Sequence, residues 1–225
     1  MPDDIKVLET ALDLQRQGDH AKARALFETV LDANPSHADA LHLDGLSLHA
    51  LGRHREALQR IIEAIAVKPL EAMFHVNAGA VAVAGGDAMA ALGYYKRALE
   101  LDPESADACN NLGIALRTLG RFAEAEVALR QAIRLRADSA SAYINLGIVL
   151  RSLGRMDEAT KAFRKAIEID PGLAAAHNNL GNLLKAQRQY DDALVSLDRA
   201  IALDPAYADA HFNRALVLAA RGDPE

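Results

Sequence analysis

Five asparagines recur at one interval: Asn77, Asn111, Asn145, Asn179 and Asn213 are each 34 residues apart. A carboxamide carries both a donor and an acceptor, so it can pair with the peptide group of another chain. Asparagine is a mediocre helix former because its side chain competes for backbone partners, so its regular return in a helical setting needs a cause. A second series, Arg117, Arg151 and Lys185, keeps the same step six residues further on. Together with Asn110, Asn178 and Asn182 it makes the C-terminal half of this surface polar and positive. Leu43, Leu46, Met73 and Val76, with Leu8, Leu12 and Val83, make the N-terminal half apolar. The chemistry on offer is recognition, with hydrogen bonds to peptide groups, attraction for carboxylates and apolar contact. Each series also has a local explanation. The asparagines could bond neighbouring helices, and Lys and Arg near a helix C-terminus complement its dipole.

The residues that could do covalent or metal chemistry are not arranged for it. His42 and His49 stand seven apart, whereas helical metal pairs favour four, as in HExxH. His75, Cys109, His177 and His211 fall in one column of the 34-residue register, a column suited to packing. No GxGxxG, P-loop or GxSxG segment occurs. No catalytic residue, metal ligand or cofactor is expected. Cys109 is the single cysteine, which excludes an internal disulfide framework and fits a reducing compartment. The formal net charge of -6 argues against a general nucleic-acid or anionic-membrane binder. No apolar run reaches about 18 residues, and the start MPDDIKVLET lacks the pattern of a secretory signal. The expected location is cytoplasmic, with no membrane insertion.

Four further columns show what must position these residues. Ala23, Ala57, Ala91, Ala125, Ala159 and Ala193 are 34 apart; so are Gly45, Gly79, Gly113, Gly147 and Gly181. Prolines at 35, 69, 103, 171 and 205 keep the register, with Ala137 at the skipped place. A last glycine column, from Gly18 to Gly154, is broken by Arg188 and resumes at Gly222. The prolines divide the chain into six full units, 4–37, 38–71, 72–105, 106–139, 140–173 and 174–207, followed by a half unit, 208–225. In 140–173, Tyr143, Leu146, Ile148 and Leu150 hold helical spacing up to Gly154, and Ala159, Phe163, Ala166 and Ile167 hold it up to Asp170-Pro171. This predicts helix, turn, helix, turn. Gly154 is expected in the left-handed conformation that ends a helix, and Asp170 and Pro171 at the cap and first turn of the next. Gly147 and Ala159 leave room for close approach of the two helices, and Phe163 fills it.

Small residues at unit positions 8 and 20, a bulky residue at 24, Ala at 27 and Pro at 32 resemble the tetratricopeptide repeat over residues 4–225. The resemblance implies an all-α, right-handed superhelical solenoid of antiparallel helix pairs. It places positions 2, 5, 6, 9, 12 and 13 of each unit on a concave groove, where the asparagine and basic series fall. The NNLG segments at 110–113 and 178–181 are similar to the superhelical repeats of O-linked N-acetylglucosamine transferases, in which repeat asparagines hold protein substrates. The Lys/Asn/Arg clamp of chaperone-tail receptors is not matched, since its places carry Leu8, Leu12, Leu43, Met73 and Asn77.

The expected function is a scaffold holding an extended peptide or partner protein, one with an apolar and an acidic segment, and without enzymatic activity. Two alternatives stand beside it. One is the substrate-recognition arm of a larger enzyme such as a peptide O-glycosyltransferase. The other is a self-assembling structural protein, in which 208–225 pairs with another chain through a face including Ala215 and Leu218.

Overall fold

The computed structural model describes residues 2–222, with side chains from residue 6 onward. Among these it contains thirteen α-helices and no strand: α1 Pro2–Arg16, α2 His20–Ala33, α3 Ala38–Ala50, α4 His54–Val67, α5 Ala72–Ala84, α6 Ala88–Leu101, α7 Ala106–Thr118, α8 Phe122–Leu135, α9 Ala140–Ser152, α10 Met156–Ile169, α11 Ala174–Ala186, α12 Tyr190–Leu203 and α13 Ala208–Arg221. The protein is an all-α helical repeat. Its chain forms two compact units, Met1–Leu119 and Gly120–Glu225. Within each, every helix packs on the next, and the odd-numbered helices also lie side by side: α3, α5 and α7 in the first, α9, α11 and α13 in the second.

The helix pairs close where the side chains allow it. A Cβ on Gly147 would lie 2.6 Å from the Phe163 ring, and one on Gly79 2.5 Å from Tyr95. Ala91, Ala159 and Ala193 are fully buried, as are Phe27, Phe163 and Leu197. Small residue against large residue is thus the unit of packing, and it repeats along the stack.

The turns differ in part from expectation. Gly154 does take φ +76°, as Gly18, Gly52, Gly86 and Gly120 take similar values. Where Arg188 replaces glycine it is held at φ 61°, the one non-glycine residue at positive φ among those described. Asp170 and Pro171, however, do not begin α11. Asp170 ends α10, and its Oδ1 accepts the Gly172 N–H at 2.9 Å. Asp102 and Asp204 do the same for Glu104 and Ala206. These are Asx turns, in which a short carboxylate folds back on the backbone two residues on. The caps of the odd helices come three residues later, where Ser105 and Ser139 accept the Ala108 and Ala142 N–H groups.

At the C-terminal end, Ala215 and Leu218 are half-buried, whereas Gly181 and Leu184 at the same positions of the preceding unit are buried. α13 also presents Phe212, 65% exposed, and Leu216, 39% exposed. The second helix expected to start at 222–225 falls mostly outside the described residues; Gly222 itself closes α13 at φ +84°.

Candidate peptide-binding face

The odd-numbered helices carry every residue singled out from the sequence. Asn77 is on α5; Asn110, Asn111 and Arg117 on α7; Asn145 and Arg151 on α9; Asn178, Asn179, Asn182 and Lys185 on α11; Asn213 on α13. All are half-buried except Asn178, which is 6% exposed.

The asparagines divide into two kinds. Asn77 Nδ2 donates to His42 Nε2 on α3 at 2.8 Å, and Asn213 Nδ2 donates to Asn178 Oδ1 at 3.0 Å. In both, position 6 of one repeat reaches position 5 of the repeat before it. Asn178 also donates to the Tyr207 hydroxyl at 3.5 Å. These amides tie successive odd helices together. His42 is buried and stacked on Phe74 with ring centroids 4.4 Å apart. Burial pushes its pKa down to about 4 against the pull of Asp39, so near neutral pH Nε2 keeps the lone pair that Asn77 uses.

Asn179 behaves differently: its Nδ2 donates back to Ala175 O of its own helix at 2.9 Å, on an exposed surface. Asn111 receives a long 3.4 Å contact from Asn110 beside it. The reason lies one repeat upstream, where position 5 is Val76 before Asn111 and Ile144 before Asn179. An aliphatic side chain has no acceptor to give. Along the whole chain position 5 reads Leu8, His42, Val76, Asn110, Ile144, Asn178, Phe212, alternating apolar and polar. The column was open to inspection in the sequence, but its meaning depends on a contact between residues 35 apart.

The apolar set is partly absorbed by the core. Leu43 packs against the Ala11, Ala23 and Phe27 cluster, and Leu46 against Leu48, Ile61 and Val81. Val76 is half-buried, while Met73 stands 59% exposed. The C-terminal unit is not uniformly polar: Ile144 and Ile148 are half-buried on α9, and Phe212 and Leu216 are exposed on α13.

Charge distinguishes two cations. Of the half-buried Lys and Arg residues described in the C-terminal unit, Arg121, Arg155, Lys165 and Arg214 each hold a carboxylate. Arg151 and Lys185 hold none among the described residues. A half-buried cation without a partner has lost part of its hydration and gains most from an incoming anion.

The histidines have structural work. His75, His177 and His211 set Nε2 against the carbonyls of Pro69, Pro171 and Pro205 at 3.1, 3.3 and 2.9 Å, clasping the preceding turn. His49 and His54 face each other, Nδ1 to Nδ1, at 3.0 Å. Burial, then the nearby His54, lowers the His49 pKa. Among the described residues no three His, Cys, Asp or Glu side chains gather as a metal site.

Two charged networks escaped the sequence reading. Asp44, fully buried on α3, sits between Arg24 of α2 at 2.8 Å and Arg60 of α4 at 3.1 Å. Burial pushes its pKa up, against Arg24 and Arg60. Its visible signal is a carboxylate in a column otherwise filled by Thr10, Ala78, Leu112, Leu146, Leu180 and Arg214. In the C-terminal unit, Arg130 and Arg155 each bridge both Glu126 and Glu158, closing a ring between α8 and α10. Burial pushes the Glu126 carboxyl up, but the hydrogen bonds from Arg130 and Arg155 outweigh it and hold it below the ordinary range.

The fold and the 34-residue register meet in the comparison with known families. A tetratricopeptide repeat model matches residues 8–65, 42–106, 76–129 and 110–174, and related models match 162–195 and 181–222. The chain belongs to the tetratricopeptide repeat family. Among tetratricopeptide relatives, photosystem I assembly protein Ycf3 of Synechococcus elongatus is 34% identical over 90 residues, 39% of this chain and 52% of its own length. The probable UDP-N-acetylglucosamine–peptide N-acetylglucosaminyltransferase SPINDLY of Hordeum vulgare is 31% identical over 120 residues, 53% of this chain and 13% of its own. The chain therefore spans about half of the first relative and a small part of the second. Among solved structures, the type IV pilus biogenesis factor PilW superposes with a TM-score of 0.85 over 94% of this chain and 98% of its own. At 20% identity that likeness concerns the fold alone. YrrB, a tetratricopeptide protein with an unusual peptide-binding site, superposes with a TM-score of 0.62 at 26% identity, over 84% of this chain and 97% of its own. No helix among the described residues is long and apolar enough to cross a membrane.

Proposed function

We propose that this tetratricopeptide chain, six full repeats and a thirteenth helix, is a non-catalytic scaffold that holds an extended stretch of another polypeptide on odd-numbered helices, with α9, α11 and α13 of the C-terminal unit as one such face. The observation that carries the reading is the pair Arg151 and Lys185, half-buried and without a carboxylate among the described residues, while comparable cations around them are paired. They call for an acidic ligand. Beside them Asn179 supplies a peptide-group contact, because among the described residues it bonds its own helix and not the preceding one; Asn111 offers the same group within the N-terminal unit. Each such bond contributes about 0.5–1.5 kcal/mol net, so affinity also needs the charges and apolar contact. The relative named for photosystem I assembly, and YrrB with its peptide site, are consistent with a holding role. The buried, uncrosslinked Cys109 suits a reducing cytoplasm.

An array of immobilised acidic 12-residue peptides tests this. Wild-type protein should bind a subset that falls away with rising salt, and the Arg151→Ala/Lys185→Ala variant should lose both the binding and the salt dependence. Equal binding and salt slope in the two proteins would overturn the reading. A second reading, the substrate arm of a larger glycosyltransferase, is favoured by the 120-residue likeness to the barley enzyme. It predicts that the acceptor peptides of such an enzyme are among those bound.

A further inference from the structure

The outward residues of α9, α11 and α13 form bands. Position 5 and position 9, one helical turn apart on the same face, carry Ile144 and Ile148 on α9. On α11 they carry Asn178 and Asn182, and on α13 Phe212 and Leu216. The middle band is polar for a structural reason, since Asn178 accepts the amide of Asn213 and is buried in doing so. The outer bands keep apolar surface in reach of solvent, most of all Phe212 at 65% and Leu216 at 39% exposure. A ligand crossing the three helices therefore meets apolar, polar and apolar surface in turn. Arg151 and Lys185 stand one further turn along α9 and α11, near position 9 and without carboxylates of their own among the described residues.

Helix-to-helix steps of about 8–10 Å separate neighbouring bands, so the two apolar bands lie roughly 16–20 Å apart. An extended peptide advances about 3.3 Å per residue, so that span takes about five or six residues. Its side chains alternate between faces, and only an even separation turns both anchors to the same side. Six satisfies both conditions.

We infer that the C-terminal unit recognises an extended peptide segment of another protein with two large apolar residues six positions apart and acidic residues between them. Resting on the scaffold reading above, this adds a ligand register. The apolar anchors seat on the Ile144/Ile148 and Phe212/Leu216 bands. The intervening carboxylates meet Arg151 and Lys185, and Asn179 reads a peptide group at the centre. Asn178 already holds Asn213 and Tyr207, so it is the half-buried Asn182 amide that rejects an apolar residue midway between the anchors, because burying it against hydrocarbon leaves it without a partner.

The test uses fluorescent 14-residue peptides of one composition, Asp- and Ser-rich, carrying two leucines three, six or nine residues apart. Anisotropy is measured against the full chain. The six-residue spacing is expected to bind at least tenfold more tightly than the other two. Phe212→Ser, an exposed position whose change leaves the fold intact, should erase that preference. Equal affinity for all spacings, still lost in Arg151→Ala/Lys185→Ala, would overturn the register and leave the scaffold reading standing. No binding by any peptide would overturn both. A six-residue preference that survives Phe212→Ser would place the second anchor elsewhere and overturn the assignment. Sedimentation of the chain alone supplies the last control: self-association abolished by Phe212→Ser would give this face to a second copy and overturn a peptide occupant.

Discussion

Replacing Asn77 and Asn179 by alanine, one at a time, separates two roles that look identical in sequence. Asn77→Ala removes the bond to His42 and strands a buried ring nitrogen. The lost bond is worth about 0.5–1.5 kcal/mol and the unsatisfied acceptor about 1–3 kcal/mol. The two overlap, so the expected loss is roughly 1.5–3 kcal/mol, confined to the helices around α3 and α5. Asn179→Ala removes only an exposed bond to its own helix. Alanine is the better helix former by roughly 0.5 kcal/mol, so stability should hold or rise slightly. Affinity should respond in the opposite sense, with Asn179→Ala weakening peptide binding about two- to tenfold and Asn77→Ala leaving it unchanged. Hydrogen exchange, resolved by helix, reads the stability change without assuming two-state unfolding, an assumption that repeat arrays strain. Nuclear magnetic resonance adds an independent readout at His42. With the Asn77 donor gone, its neutral form is less favoured and its pKa should rise from about 4, while burial still holds it below the ordinary range. An Asn77→Ala protein as protected as wild type, yet unable to bind, would refute the division of the asparagines.

Other perturbations test the scaffold itself. Arg188→Gly should stabilise the C-terminal unit by about 1 kcal/mol, because φ 61° costs an L-residue about that much and glycine nothing; a lower melting temperature would contradict it. Gly147→Ala should cost about 1–3 kcal/mol by pressing a methyl into the Phe163 ring, and a second change, Phe163→Leu, should recover part of the loss in urea unfolding. Acidification should loosen the α3–α5 region. His42 titrates near 4 when folded but near 6.5 when unfolded, so its contribution is complete above 6.5 and is lost as pH falls toward 4, by up to about 3 kcal/mol. Hydrogen exchange in α3 and α5 that stays constant over that window would count against the buried, neutral ring. Asp44→Asn should destabilise α2–α4 by about 2 kcal/mol by leaving Arg24 and Arg60 facing each other, with urea midpoints as the measure.

The repeat was plain in the sequence because packing at close quarters constrains residue type strictly. A glycine facing Phe163 or Tyr95 leaves no room for a Cβ, and the column holds only glycine or alanine, as at Ala11 beside Phe27. Helix ends were less legible. Asp170-Pro171 has the composition of a helix start, yet it serves as an Asx turn ending α10, and the cap column at Ser105 and Ser139 was overlooked. The candidate site was legible as a list but not as roles. Asn77 and Asn179 share a column, and what distinguishes them is whether His42 or Ile144 stands one repeat earlier. Asp44 was hidden for a related reason: its partners are 20 and 16 residues away, spacings that no single helix brings together.

The alternation at position 5 gives the molecule a parity. Its backbone repeats every 34 residues, but the polarity of its position-5 column repeats every 68. Excising or duplicating one repeat would preserve the stack and still set like beside like, polar against polar or apolar against apolar, at the junction. Excising or duplicating two would leave the order intact. Growth or shrinkage of such a chain by gene duplication is therefore neutral for folding in single steps but neutral for ligand recognition only in pairs.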